Sequence, residues 1–231
     1  MPPSRPRTVS VLAAGVGLLA ATLFACSRPA PPLAGDAPAS DTPPGYFEDV
    51  TAATGIDFTY RNGQEAGHLA ILESLGGGVG LIDYDRDGLL DVFVTGGGYY
   101  DGPGKKTIRG YPNRLYRNEG NGKFRDVTAE VGLPAEGPFY SHGVAVGDYD
   151  NDGWPDLLVT GYGRLALYRN VGGKFVDVTE TAGLRDARPL HWSTSAAWAD
   201  LDGDGRPDVY VANDTTDNQL YLLRGPLRPP R

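Results

Sequence analysis

An all-β fold made of propeller-like blades is predicted by three observations. An acidic nonapeptide recurs three times, as "DYDRDGLLD" (Asp83 to Asp91), "DYDNDGWPD" (Asp148 to Asp156) and "DLDGDGRPD" (Asp200 to Asp208). Each copy stands between two strand-like runs: "GVGLI", "GVAVG" and "SAAWA" before it, and "DVFV", "DLLV" and "DVYV" after it. Helical periodicity is absent apart from a short turn around "TAEVG" (Thr128 to Gly132), and strand signals recur about every eight to twelve residues. The nonapeptide is therefore the connection of a β-hairpin.

The first run of each pair is small and alternating, which suits a crowded inner strand. The second is rich in β-branched and aromatic residues, which suit a pleated, buried surface. Two further features recur in fixed order. One is an aromatic strand, "NRLYRN" from Asn113, "LALYRN" from Leu165 and "NQLYLL" from Asn218. The other is "FEDVTAATGI" from Phe47, "FRDVTAEVGL" from Phe124 and "FVDVTETAGL" from Phe175. The acidic motifs are 65 and then 52 residues apart, and the excess falls in "GGGYYDGPGKKTIRGYP" (Gly96 to Pro112). An insertion at one point of a repeat predicts a surface loop. The expected blades span about 46–123, 124–174 and 175–231, fewer than the four to eight that close a ring.

Crowded carboxylates repel unless a cation neutralises them. Calcium takes about six to eight oxygen ligands and accepts flexible, carboxylate-rich loops. Asp83, Asp85 and Asp87, with Asp148, Asp150, Asp152 and Asp200, Asp202, Asp204, present alternate carboxylates along a tight turn. The glycine at the sixth position (Gly88, Gly153, Gly205) allows a bend that brings in the carbonyls of Leu89, Trp154 and Arg206. Asp91, Asp156 and Asp208 then close each site. Position twelve, the bidentate glutamate of an EF-hand, is Val94, Val159 or Val211, so these loops are not EF-hands. Magnesium, which prefers one or two carboxylates and several waters, fits less well.

Other chemistry is thinly supported. His68, His142 and His191 do not occupy equivalent repeat positions and read as individually satisfied or exposed side chains. Glu73, Ser74 and Ser141 are not set in a nucleophile-elbow pattern. The "GGG" runs at Gly76 and Gly96 lack the Lys-Ser/Thr and helix of a phosphate loop and suit close strand approach near a propeller axis. Trp198 is expected in the core, and Tyr99 and Tyr100 exposed on the insertion, where they contact a protein or glycan or pack onto the loop itself. The reading is of a non-enzyme.

The first 25 residues differ in kind. Arg5 and Arg7 precede an uncharged apolar run, Val9 to Phe24, which closes at "LFAC". This reads as a secretory signal resembling a lipoprotein's, with Cys26 as the lipidated residue. An uncleaved membrane helix is the alternative, since Val9–Ser27 offers 19 uncharged residues, barely a bilayer's span. Residues 26–45 form a Pro/Ala-rich tether. The body is expected outside the cytoplasm, in the periplasm or at the cell surface, tethered by lipid or secreted if Cys26 is not used. Cys26 is the single cysteine, so no intrachain disulfide is available, and the net charge of −8 argues against nucleic acid and anionic membrane surfaces.

The strand–DxDxDGxxD–strand unit resembles the FG-GAP/VCBS repeat, the blade of integrin α-subunit-like propellers. "GGGVGLIDYDRDGLLDVFV", the F-x-D-V-T segments and N-x-L-Y-R-N resemble bacterial relatives of cartilage acidic protein, which often carry an ASPIC/UnbV domain. The resemblance spans Tyr46 to Tyr221. It implies one structural calcium ion per acidic loop, held by the twelve aspartates and three carbonyls named above, and a module that binds protein or glycan ligands at the cell surface. "LYLLRGPLRPPR" departs from the pattern. Two expectations follow: a piece of a larger exported propeller enzyme whose active site lies elsewhere, or, if the chain is complete, a homo-oligomer that completes the ring.

Overall fold

In the computed structural model, residues 45–184 and 191–225 are described. The leader, Cys26 and the tether up to residue 44 lie outside them. The described residues form thirteen strands, one short α-helix, α1 (Thr51–Thr54), and two 3-10 turns, Gln64–Ala66 and Ile71–Ser74. β1 (Val79–Ile82), β2 (Asp91–Val94), β5 (Arg114–Gly120) and β6 (Lys123–Asp126) make the first antiparallel sheet, in that order. β3 (Gly98–Asp101) and β4 (Thr107–Gly110) pair separately between β2 and β5. β7 (Ser141–Gly147), β8 (Asp156–Gly161), β9 (Arg164–Asn170) and β10 (Phe175–Asp177) make the second sheet. β11 (Trp192–Ala199), β12 (Asp208–Asp214) and β13 (Gln219–Tyr221) make the third, which has three strands among the described residues. These are open, meandering, propeller-like blades, and none closes on itself.

The hairpins lie where the sequence places them. Ile82 pairs with Asp91, Gly147 with Asp156 and Ala199 with Asp208, so each acidic loop joins the first two strands of its sheet. The inner strands β1, β7 and β11 are neighbours in space. Their small residues explain how: a Cβ on Gly78 would lie 2.7 Å from the His142 carbonyl oxygen, and one on Gly143 2.5 Å from that of Thr194. Two apolar clusters lie between successive sheets. The first joins Ile82, Phe93 and Leu115 to Leu157, Val159 and Tyr168. The second joins Leu158, Leu165 and Leu167 to Val209 and Val211.

Three expectations are corrected. The blade boundaries at 123/124 and 174/175 cut paired strands from their own sheets, because Phe124 lies in β6 opposite Asn118, and Phe175 in β10 opposite Asn170. These two F-x-D-V-T strands thus end their sheets and do not open the next. Second, the insertion is an ordered hairpin, β3–β4, with Gly98 opposite Gly110. It leaves β2 at the end away from the acidic loop, so the two features occupy opposite ends of the strands. Third, Tyr99 and Tyr100 are half-buried: their rings lie 4.8 Å from Tyr111 and 4.7 Å from His68. Trp198 is also half-buried, packed on the second cluster.

Candidate metal centres in the hairpin loops

Each acidic loop is built by one hydrogen-bond scheme. The first aspartate bends back to accept the sixth-position amide: Gly88 N to Asp83 at 3.1 Å, Gly153 N to Asp148 at 2.8 Å, Gly205 N to Asp200 at 2.9 Å. That turn requires the left-handed backbone of Gly88 (φ 87°), Gly153 (φ 88°) and Gly205 (φ 81°). The fourth position is left-handed as well, at Arg86 (φ 61°), Asn151 (φ 55°) and Gly203 (φ 77°), which the spacing alone did not reveal.

The ninth aspartate is the most enclosed. Asp91, Asp156 and Asp208 are 0, 0 and 1 % exposed. One oxygen of each accepts the amide of the second loop residue: Tyr84, Tyr149 or Leu201, at 3.1, 3.0 and 2.9 Å. The other accepts an amide of the third strand or its end: Asn118, Asn170 or Leu223, at 2.8, 2.7 and 2.9 Å. A single carboxylate thus ties the loop to two strands. Burial pushes the Asp91 carboxyl up to about 6 and that of Asp156 to about 7, while the two N–H donors pull downward. At Asp208 the donors from Leu223 and Leu201 prevail and hold the group below the usual carboxylate range.

One carboxylate oxygen from each of the first, third and ninth aspartates converges to within 4.8 Å of the others, in Asp83/Asp85/Asp91, Asp148/Asp150/Asp156 and Asp200/Asp202/Asp208. The fifth aspartates, Asp87, Asp152 and Asp204, stand outside these triads. Each accepts the seventh-position amide, of Leu89, Trp154 or Arg206, at 2.9 to 3.1 Å, and each faces an arginine.

Those arginines are the residues missed from the sequence. Arg117 reaches Asp85 at 2.7 Å and Asp87 at 2.6 Å, and Arg169 reaches Asp150 at 2.8 Å and also pairs with Asp152. Both are the Arg of "LYRN", so their recurrence was the available signal. The third repeat reads "LYLL", and Arg206 and Arg224 serve there, pairing with Asp204 and Asp202. One guanidinium does not balance four carboxylates. Oδ1 of Asp83 and Oδ1 of Asp85 are buried and accept no hydrogen bond. Buried carboxylate oxygens in that state call for a cation. The donor set is all oxygen, the preference of a hard divalent ion. The triads can hold a metal ion.

The histidines do not converge. The His68 ring bonds the Lys105 carbonyl at 2.8 Å, and His191 bonds the Thr216 hydroxyl at 3.0 Å. His142 is buried beside the Tyr60 hydroxyl, at 3.3 Å, and the Tyr140 ring, at 4.7 Å. Burial lowers His142 to about 4, against about 6.5 in the unfolded chain. The unfolded state therefore takes up the proton first, so stability is lost as pH falls from about 6.5 toward 4. Wild type should lose about 2 kcal/mol more than His142→Asn by pH 4.5. Urea melts of the two at both pH values measure the difference, and parallel losses would refute it. Ser141, beside it in sequence, donates to Asn113 Oδ1 at 2.7 Å, and Glu73 accepts the amides of His68 and Ala70. Both serve backbone geometry.

Comparison with known proteins picks out the acidic loops and the strands that follow them. The profile of the FG-GAP-like repeat matches residues 83–159 and 148–211, its two copies starting on the first aspartates of the first two loops. The chain is 34 % identical over 190 residues to cartilage acidic protein 1 of Xenopus tropicalis, covering 78 % of this chain and 25 % of that protein. It is 26 % identical over 155 residues to cartilage acidic protein 1 of Mus musculus, covering 64 % and 22 %. The chain therefore spans about a quarter of the length of these curated relatives. With the repeated hairpins and their aspartate triads, the match shows that the chain belongs to the FG-GAP-like repeat family.

Proposed function

We propose that each acidic loop binds one calcium ion, and that the ions rigidify a repeat module that binds protein or glycan ligands outside the cytoplasm. The observation that carries this is one triad of aspartate oxygens, within 4.8 Å of one another, in each of three hairpin loops. Calcium suits it better than magnesium, because these loops offer several carboxylates from flexible backbone. Asp83, Asp85 and Asp91, with their counterparts, would hold the ion. Asp87, Asp152 and Asp204, with the carbonyls of Leu89, Trp154 and Arg206, would complete the shell. The ion's chemistry is charge neutralisation, and it carries no reaction.

The apolar leader and Cys26 support export and tethering at the membrane through lipid. The module acts by presenting a surface, not as an enzyme. In a second reading the chain is a piece of a larger exported protein, and the quarter-length match to the relatives supports it.

Calorimetric titration of the protein with calcium tests the metal assignment. About three ions per chain are expected. The second loop, whose third and ninth aspartates are both buried, should fill first, and the exposed third loop last. Asp148→Asn combined with Asp150→Asn should lower the stoichiometry by about one. No uptake, or a stoichiometry that the double variant leaves alone, would falsify the assignment.

A further inference from the structure

The described residues carry both halves of a junction that they do not make with one another. Each F-x-D-V-T segment has two jobs. Its first residues are the outer strand of one sheet, and its turn docks on the outer strand of the next sheet. In the second segment, Asp126 lies opposite Tyr116 in the first sheet, the Val127 amide bonds the Leu115 carbonyl at 2.9 Å, and Thr128 Oγ1 accepts the Leu115 amide at 2.9 Å. Its turn then reaches the second sheet: Gly132 (φ 83°) lies against the Phe175 carbonyl, the Phe175 amide bonds the Val131 carbonyl, and Lys174 bonds the Glu130 carbonyl. The third segment repeats the strand half, with Val178 on Leu167 and Thr179 Oγ1 accepting the Leu167 amide.

The first segment completes only the second job. Gly55 (φ 87°) lies against the Phe124 carbonyl, and Lys123 bonds the Ala53 carbonyl, as Gly132 and Lys174 do one repeat later. The Asp49–Thr51 turn is already formed, with the Thr51 amide on Asp49 Oδ1 at 3.0 Å, matching Asp126–Thr128. Yet Phe47 to Val50 pair with no strand among the described residues. Phe47 is 98 % exposed and Val50 51 %, whereas the matching Val127 is 1 % exposed.

At the other end the third sheet lacks an outer strand among the described residues, and its trailing face is open. Tyr210 is 43 % and Leu220 52 % exposed, where the matching Phe93 and Leu115 are wholly buried. The leading face of the first sheet is open in the complementary way. Val79 and Leu81 are 63 and 56 % exposed, while the matching Val144 and Val146 pack on the preceding sheet. A cavity of about 750 Å³ lies beside β13, lined by Tyr149, Ala182, Leu184, Trp198 and Leu223. Between the first two sheets the matching space is taken by Phe175, whose ring lies 6.3 Å from Tyr84, the counterpart of Tyr149.

We infer that Phe47–Thr51 of a second copy of this chain is the missing outer strand of the third sheet, with Phe47 seated in the cavity beside Tyr149 and Ala182. The internal register carries over: Phe124 and Phe175 face Asn118 and Asn170, so Phe47 faces Leu223, Glu48 faces Leu222 and Asp49 faces Tyr221. The same docking lays Val79 and Leu81 of one copy on Tyr210 and Leu220 of the other. Its sheet packing repeats what is present twice within the chain, and its phenylalanine seat repeats the one that Phe175 fills. Two copies joined head to tail bring six such sheets together, inside the four-to-eight range of closed propellers.

Sedimentation equilibrium and cysteine cross-linking test this on the full chain with Cys26→Ser. Wild type should sediment as two chains, and Phe47→Asp, by burying a charge in an apolar socket, should weaken the pair at least ~100-fold. Phe47 is exposed in the single chain, so the far-UV spectrum of Phe47→Asp should match wild type. Chains with Glu48→Cys mixed with chains carrying Leu222→Cys should form a disulfide between the two. Single chains at the highest concentration tested, or a pair that Phe47→Asp leaves intact without the 48–222 cross-link, would overturn the inference. So would a 48–222 disulfide formed within one doubly substituted chain, or an open ladder longer than two chains.

Discussion

Chelating calcium should lower the midpoint of thermal unfolding by about 15–30 °C, the largest single effect expected of this protein. An ion present at a hundred times its dissociation constant stabilises the folded state by about 2.7 kcal/mol, so three such ions contribute about 8 kcal/mol. A domain's whole stability is about 5–15 kcal/mol. The ion-free chain also keeps like charges within 4.8 Å of one another in each loop. Among the described residues, Arg117, Arg169, Arg206 and Arg224 pair with these carboxylates and offset them in part. Scanning calorimetry with calcium, then with excess chelator, reads the difference. An unmoved midpoint would remove the structural role of the metal, and magnesium restoring the full shift would reassign the ion.

The second large effect is expected at Asp156. Its side chain is wholly buried, accepts the Tyr149 and Asn170 amides, and supplies one oxygen to the second triad. Asp156→Ala strands two buried N–H donors and removes a ligand, and should cost about 3–5 kcal/mol. Asp156→Asn keeps one acceptor, sets an NH₂ against the other donor, and should fall between. Equilibrium urea unfolding in calcium buffer measures both. A loss below about 1 kcal/mol for the alanine variant would show that the ninth aspartate does not tie the loop to its strands.

The parts of the fold legible in the sequence were those set by neighbours in the chain. An Asp-rich turn with glycine sixth, between alternating runs, becomes a hairpin whatever surrounds it, and the triads follow from that turn. The parts that were not legible depend on which partner a segment finds in space. Phe124 and Phe175 carry the same local signal whether their strands open a sheet or end one, and only the register with Asn118 and Asn170 decides it. The glycine run at Gly96 signals close approach, but which groups come close, Tyr140 at Gly98 and Phe139 at Gly110, is set by tertiary packing. Arg117 and Arg169 recur in "LYRN", but that recurrence does not say that the guanidinium turns toward a loop about thirty residues earlier in the first sheet and under twenty in the second.

The double duty of the F-x-D-V-T segments bears on how this protein comes apart. Because one stretch of backbone is edge to one sheet and wedge to the next, no cut in the chain separates two intact neighbours. Peeling away the second sheet drags Phe175 out of the pocket it shares with the first and takes the turn around Ala182 and Leu184 from the third. Such interlocking couples the stability of each small unit to that of its neighbour, so that damage to one loop is passed to the adjoining sheet.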